Sequence, residues 1–320
     1  MRRAFYITWL VLVACSGERG TGPQSTSLEV AVEYWPNGYL RSAYQFYVDA
    51  QGQRVMHGYY RTYSQRVENL LWSERLFFSG RSTQLSYERC SESTERTANG
   101  NFEQGDFTHW RLEGARPTSI LLVADGDPQR GAHSAKLTLH PGDIVRGGNR
   151  VELVRPDSGS YAEERIYGWS FKIPEDYAEE PYWQALCQFH SQPDFAAGED
   201  WDTYPEHKPP LSILYHQGRC RLIYHDFDQV QHEIGSFPTS KGAWSDVFFQ
   251  IKWSMEGDGY IEMYADGLPV TPFNGTDYKF YGSNVYNETG NYLKIGLYRD
   301  KRAEAINSVY VDDAYIEACR

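Results

Sequence analysis

The chain has 320 residues and a formal net charge of −12, with 41% hydrophobic and 23% charged residues. That is enough for one large β domain or two ordinary domains, and the balance excludes both a disordered acidic tail and a multi-span membrane protein. Aromatics reach 15%, a level suited to strands and sugar-stacking surfaces. The acidic balance argues against nucleic acid as the partner, since phosphate binding calls for a basic domain or stripe. An anionic substrate stays open: 23 of the 31 basic residues are Arg, which grips carboxylates through paired hydrogen bonds.

Arg2 and Arg3 precede an apolar stretch over residues 4–14, shorter than the roughly 20 residues a bilayer span needs. Residues 1–14 therefore read as a signal peptide. Its end, Leu12-Val13-Ala14-Cys15, resembles the lipobox of bacterial lipoproteins, which implies lipidation of Cys15. The alternative is an ordinary secretory signal that contains a cysteine. The expected location is a bacterial membrane, the outer membrane or cell surface, held by a lipid anchor of more than one acyl chain. Residues 15–27, rich in Gly, Ser and Thr, form a linker. Four further cysteines, Cys90, Cys187, Cys220 and Cys319, permit two disulfides in an exported chain, and sequence does not choose the pairing.

Residues 28–90 form a small module in which Asn37-Gly38, Gly52, His57-Gly58 and Gly80 are expected turns between short aromatic strands. The segment resembles MORN-like variant repeats of bacterial surface proteins; a plain β-hairpin appendage is the alternative, and neither carries chemistry. The polar run at 91–99 marks a boundary. Over 95–320, strands are expected at 134–139, 166–173, 184–190, 211–215, 219–225, 247–253, 260–264, 292–298 and 308–317. Turn residues separate them and no amphipathic helix intervenes, so the fold class is all-β, an antiparallel sandwich.

Strand parity then sorts side chains. Gln188 and His190 share one face and Cys187 and Phe189 the other. Leu293, Ile295 and Leu297 form a core face opposite Tyr292, Lys294 and Tyr298, with Gly296 leaving space, and Arg150 and Glu152 lie opposite Val151 and Leu153. Three strands thus present cationic or proton-transfer groups on one side, and a concave sheet face gathers them into a polar groove.

Arg150-Val151-Glu152-Leu153, Gln188-Phe189-His190 and Tyr292-Leu293-Lys294-Ile295-Gly296-Leu297-Tyr298 match in order the Arg-x-Glu-Leu, Gln-x-His and Tyr-x-Lys-x-Gly-x-Tyr signatures of jelly-roll polysaccharide lyases. Framing segments resemble the heparin lyase I and glucuronan lyase branch most: NGNFEQGDFTHW (99–110), HPGDIVRGGNRVEL (140–153), YGWSFKIP (167–174) and GAWSDVFFQIKWS (242–254). The resemblance implies a concanavalin-like β-jelly roll and β-elimination on a uronic-acid polysaccharide, heparin/heparan-like or glucuronan-like. It implies Arg150, Gln188 and Lys294 as donors that neutralise the uronate carboxylate, His190 as the base for the C5 proton and Tyr298 as the acid for the leaving oxygen. In related lyases acting on the opposite C5 epimer the Tyr serves as both, so the split between His190 and Tyr298 stays open.

Glu152 is expected to orient Arg150 through a salt bridge. Tyr292, Glu152, Trp183, Trp201, Tyr204 and Arg299 are substrate-binding candidates, although parity turns Arg299 away from the groove unless it lies beyond the strand end. Sulfated glycans would need further cations, for which Arg146, Arg165, Lys172 and Arg299 are available. The chemistry requires no cofactor. A structural Ca²⁺ is allowed for, with Glu103, Asp125, Asp127 and the Asp312-Asp313 pair as oxygen donors by composition. The expected partners are an anionic polysaccharide and, through Cys15, a membrane, with the chain a monomer. A noncatalytic glycan-binding lipoprotein on the same fold is the alternative. A two-carboxylate glycoside hydrolase is disfavoured, because no Glu-x-Asp-x-x-Glu strand is present.

Overall fold

The computed structural model describes residues 29–34, 40–48, 52–63, 71–78, 81–88, 100, 102–124, 131–155, 161–275 and 277–318. The leader, Cys15, the linker, Asn37-Gly38, Gly80, Cys90, Asp125, Asp127 and Cys319 lie outside the described residues. The chain divides into two units, one built mainly from residues 1–90 and the other from most of the remainder.

The first unit is an antiparallel meander of β1 (Glu29–Tyr34), β2 (Leu40–Val48), β3 (Arg54–Tyr63), β4 (Leu71–Phe78) and β5 (Arg81–Glu88), each strand beside the next. Gly52 turns between β2 and β3 with a φ of 77°. His57-Gly58 is not a turn as expected but sits inside β3. The ladder slips there, with Tyr44 opposite Tyr60 but Phe46 opposite Met56, so the glycine marks a bulge.

The second unit contains β6 (Arg111–Glu113), β7 (Ile120–Val123), β8 (Ser134–Leu139), β9 (Ile144–Val145), β10 (Gly148–Arg155), β11 (Glu164–Lys172), β12 (Gln184–His190) and β13 (Leu211–His216). It continues with β14 (Arg219–His225), β15 (Gln231–Pro238), β16 (Trp244–Lys252), β17 (Tyr260–Ala265), β18 (Leu268–Pro269), β19 (Phe280–Tyr281), β20 (Tyr292–Arg299) and β21 (Asn307–Ala318). One sheet runs β15-β14-β13-β12-β20-β10-β6 with β9 on β10; the other runs β18-β17-β16-β11-β21-β8-β7 with β19 on β17. This is the jelly-roll sandwich that strand spacing and motifs imply.

The core forms because alternate residues of both sheets are apolar. Val151, Leu153, Phe189, Leu293, Ile295 and Leu297 of the first sheet meet Leu137, Trp169, Phe171, Phe249 and Ile251 of the second. Each such side chain contributes roughly 1.5–3 kcal/mol on burial. In the core, Trp253 Nε1 donates to the Tyr167 hydroxyl at 2.6 Å.

Cys187 and Cys220 do not form the expected disulfide framework. Both are core thiols on β12 and β14, Cys187 opposite Ile213 of the intervening β13 and Cys220 opposite Tyr215 of the same strand. Two strand spacings, roughly 9.6 Å, exceed the reach of a disulfide. Burial, then the Glu152 carboxylate, raises the Cys187 thiol well above its ordinary value and keeps it inert.

Candidate active site

The three strands that carry the motifs are neighbours, in the order β12-β20-β10. Register places Gln188 beside Lys294 and His190 beside Tyr292 on one side of β20, and Arg150 beside Tyr298 and Glu152 beside Gly296 on the other. All except Gly296 project from the face opposite the core, as parity requires. Gly296 has a different role from the spacer expected of it. Its φ is 151°, and a Cβ there would run into the Val151 carbonyl, so glycine permits β10 and β20 to approach closely. Gly148 clears room in the groove itself, since a Cβ would lie 2.6 Å from the Tyr298 ring and 2.7 Å from Arg150 Nη2.

Two buried carboxylates organise the cations. Glu152 accepts from Gln188 Nε2, from Arg150 Nη1 at 3.3 Å and from Lys294 Nζ at 3.3 Å. The expected Arg150–Glu152 salt bridge is present, and Gln188 and Lys294 share the same carboxylate. Glu113 on β6 accepts from the same Lys294 Nζ at 2.9 Å, and pairs with Arg111 at 3.1 Å and Arg146 at 2.7 Å. Burial works to raise the Glu113 carboxyl, but Lys294, Arg146 and Arg111 outweigh it and hold it below the ordinary value. Burial likewise opposes the Lys294 charge, and Glu152 foremost overcomes it, so the ammonium is held above the usual lysine value. Four cations against two carboxylates leave the cluster positive on an otherwise acidic protein.

His190 completes the cluster. Its Nδ1 lies 2.6 Å from the Ser191 carbonyl oxygen, a contact that places the proton on Nδ1 and leaves Nε2 basic. Burial, with Lys294 and Arg150, pushes the imidazole down to about 4 against the opposing Ser191 bond, so the ring is neutral at physiological pH. A cavity of about 400 Å³ opens over these groups, lined by Arg111, Arg146, Arg150, Lys294, His190 and Tyr292 together with Gln192, Phe195 and Trp201.

Tyr298 flanks the cavity instead of lining it. The Arg150 guanidinium lies 4.0 Å from its ring centroid, and Trp183 meets its other side edge-on at 4.9 Å. Trp183 and Trp201, 42% and 48% exposed, stand against Tyr298 and Tyr292, at opposite ends of the β20 motif; Trp201 lines the cavity and Trp183 does not. Tyr204 packs edge-on against Trp201 at 6.2 Å.

Other expected residues lie elsewhere. Arg299 is fully buried; its Nε donates to Asn149 Oδ1 at 2.8 Å and its Nη2 to the Ala305 carbonyl at 2.6 Å, so it ties a loop to β10 and is not available to substrate. Arg165 and Lys172 belong to β11 in the other sheet, where Arg165 pairs with Glu163 and Lys172 stacks between Trp244 and Tyr310. Of the expected extra cations, Arg146 alone lines the cavity.

The Glu103 carboxylate is committed to the Ala132 and His133 N–H groups, which hold it below its ordinary value. Asp312 Oδ1 accepts the Asp313 N–H at 2.7 Å. No group of three or more His, Cys, Asp or Glu is placed to hold a metal among the described residues. Of the expected Ca²⁺ donors, Asp125 and Asp127 lie outside the described residues. Arg111 and Glu113 were not anticipated, although Arg111-Leu112-Glu113 repeats the alternation of Arg150-Val151-Glu152 and carried the same signal.

A family model described as polysaccharide lyase matches residues 102–315. Among solved structures, the endo-beta-1,4-glucuronan lyase from the fungus Trichoderma reesei superposes with a TM-score of 0.55 at 19% identity, over 70% of this chain and 95% of that one. The catalytic domain of the glycoside hydrolase family 131 protein from Coprinopsis cinerea gives 0.50 at 14%, over 70% and 94%. The alginate lyase Aly36B gives 0.47 at 14%, over 70% and 94%. At these identities the likeness is one of fold, and fold alone does not choose between lyase and hydrolase. No curated protein matches the chain significantly.

Proposed function

The chain belongs to the polysaccharide lyase family, carbon–oxygen lyases acting on polysaccharides, and we propose that it cleaves a uronic-acid polymer, glucuronan-like or heparin/heparan-like, by β-elimination. The observation that carries this reading is a cavity with a surplus of cations beside a neutral histidine whose Nε2 is unprotonated. The uronate carboxylate sits against Arg150, Lys294 and Gln188, which stabilise the negative charge that moves onto it as the C5 proton leaves. His190 Nε2 takes that proton. The C5 electron pair forms the C4=C5 double bond, the C4–O4 bond breaks, and Tyr298 gives its proton to O4. Glu152 holds the three donors in place before substrate arrives, so no reorganisation is needed at the moment of reaction.

The fold shared with a glucuronan lyase makes an unsulfated polyglucuronate the first polymer to test. The exposed Trp201 of the cavity and Trp183 beside Tyr298 serve as stacking platforms for neighbouring sugars. The lipobox-like Leu12-Val13-Ala14-Cys15 supports export, lipidation at Cys15 and membrane anchoring. Loss of fatty-acid labelling in Cys15→Ala would bear this out, and retained labelling would refute it. Residues 28–90 would act as a spacer module.

The test incubates the purified mature chain with glucuronan, alginate, heparin and heparan sulfate. A rise in ultraviolet absorbance from unsaturated ends on at least one glucuronate polymer is expected. No rise on any of them refutes the reading.

A further inference from the structure

Two cavity cations have no part in the elimination: Arg111 on β6 and Arg146 in the turn before β10. They reach the cavity from different elements yet are held by the same carboxylate, Glu113, at 3.1 and 2.7 Å. Glu113 is buried, its side chain 3% exposed, whereas the two guanidinium side chains are 45% and 57% exposed. Arg146 also has a φ of 45°, a backbone region that a non-glycine residue keeps only when its surroundings hold it there. One cation suffices to balance a buried carboxylate, and Lys294 already does so at 2.9 Å. Two further guanidinium groups on the same carboxylate are like charges at close quarters, an arrangement that an anion between them would relieve. Each guanidinium has five N–H donors, and the contacts to Glu113 engage only part of that set.

We propose that Arg111 and Arg146, clamped on Glu113, form a second anion site. It takes the carboxylate or sulfate of the sugar adjacent to the one that loses its C5 proton. The enzyme therefore requires two consecutive anionic sugars. This rests on the lyase reading above and adds a substrate rule that the elimination alone does not impose. Lys294, shared by Glu113 and Glu152, joins the two anion sites into one recognition surface. Arg111 and Arg146 act in binding, so their loss raises KM and leaves kcat nearly unchanged.

The test uses the mature chain and the double variant Arg111→Gln/Arg146→Gln, with folding checked by circular dichroism and Arg111→Lys/Arg146→Lys as the charge-retaining control. On native glucuronan the Gln pair should raise KM by about tenfold or more, as expected for lost charge-assisted hydrogen bonds, and the Lys pair should recover part of it. Random reduction of half the carboxylates to alcohols leaves about a quarter of the adjacent pairs. Wild-type kcat/KM should then fall about fourfold and that of the Gln pair about twofold. If sulfate is the anion instead, desulfation of heparan sulfate weakens wild type and not the Gln pair. Unchanged KM in the Gln pair on every polymer, or equal losses in both proteins on every modified polymer, overturns the second site and leaves the lyase intact. Absence of unsaturated product from wild type on all polymers overturns both.

Discussion

The acid limb of the rate profile tests the state of His190. Its Nδ1 is bound to the Ser191 carbonyl, and burial with Lys294 and Arg150 pushes the ring down to about 4. At pH 5.5 an ordinary histidine near 6.5 is about one-tenth neutral, whereas one near 4 is almost wholly neutral. kcat/KM reports the free enzyme, so its value at pH 5.5 should stay close to that at pH 7.5 and not fall about tenfold. The assay is initial-rate ultraviolet absorbance on glucuronan at constant ionic strength from pH 3.5 to 8. The same shift has a stability signature. Because the folded value lies below the unfolded one, the contribution is present in full above pH 6.5 and is lost as pH falls toward 4. Its size is about 3 kcal/mol. Urea unfolding of wild type against His190→Gln should show wild type losing the larger share of its stability over that window. An acid limb centred near 6.5, with identical pH dependence of stability in the two proteins, would refute the half-buried, neutral base.

Four other outcomes follow from the geometry. His190→Ala and Tyr298→Phe should each remove nearly all turnover while keeping the circular dichroism spectrum, since neither side chain is part of the core; full activity in His190→Ala would show that another group takes the proton. Glu152→Gln leaves Arg150 and Lys294 without their shared counter-ion, and breaking such a buried pair costs about 3–5 kcal/mol, to be read from urea midpoints together with a loss in kcat. Arg299→Met should destabilise by a similar order yet leave KM unchanged, because that guanidinium faces Asn149 and Ala305 and not the groove. Gly148→Ala should lower kcat with a small change in Tm, since the new methyl displaces the Tyr298 ring and Arg150.

Strands with clear punctuation were legible. The stretches 134–139, 184–190 and 219–225 coincide with β8, β12 and β14 because apolar or alternating runs end at turn residues. β15 escaped notice as an edge strand with only Ile234 and Phe237 buried and with Gly235 and Pro238 breaking its pattern. Parity placed Arg150, Glu152, Gln188, His190 and Lys294 on one face correctly, since a period of two needs no tertiary knowledge. Glu113 was missed although Arg111-Leu112-Glu113 repeats the alternation of Arg150-Val151-Glu152, because its partners Lys294 and Arg146 are remote in sequence. Arg299 illustrates a second limit: parity turned it away from the groove, but only its register with Asn149 and the loop at Ala305 reveal what its guanidinium binds. Gly296 shows a third, since only the approach of Val151 reveals why a side chain is excluded.

The central claim is that a bond breaks by elimination at a uronic acid held over Arg150, Lys294 and His190. Proton magnetic resonance of the products from glucuronan tests it directly. The account predicts a vinylic H4 signal on each newly formed non-reducing end, increasing in step with new reducing ends. New reducing ends paired with saturated non-reducing ends would mean that water cleaves the bond, and would contradict it.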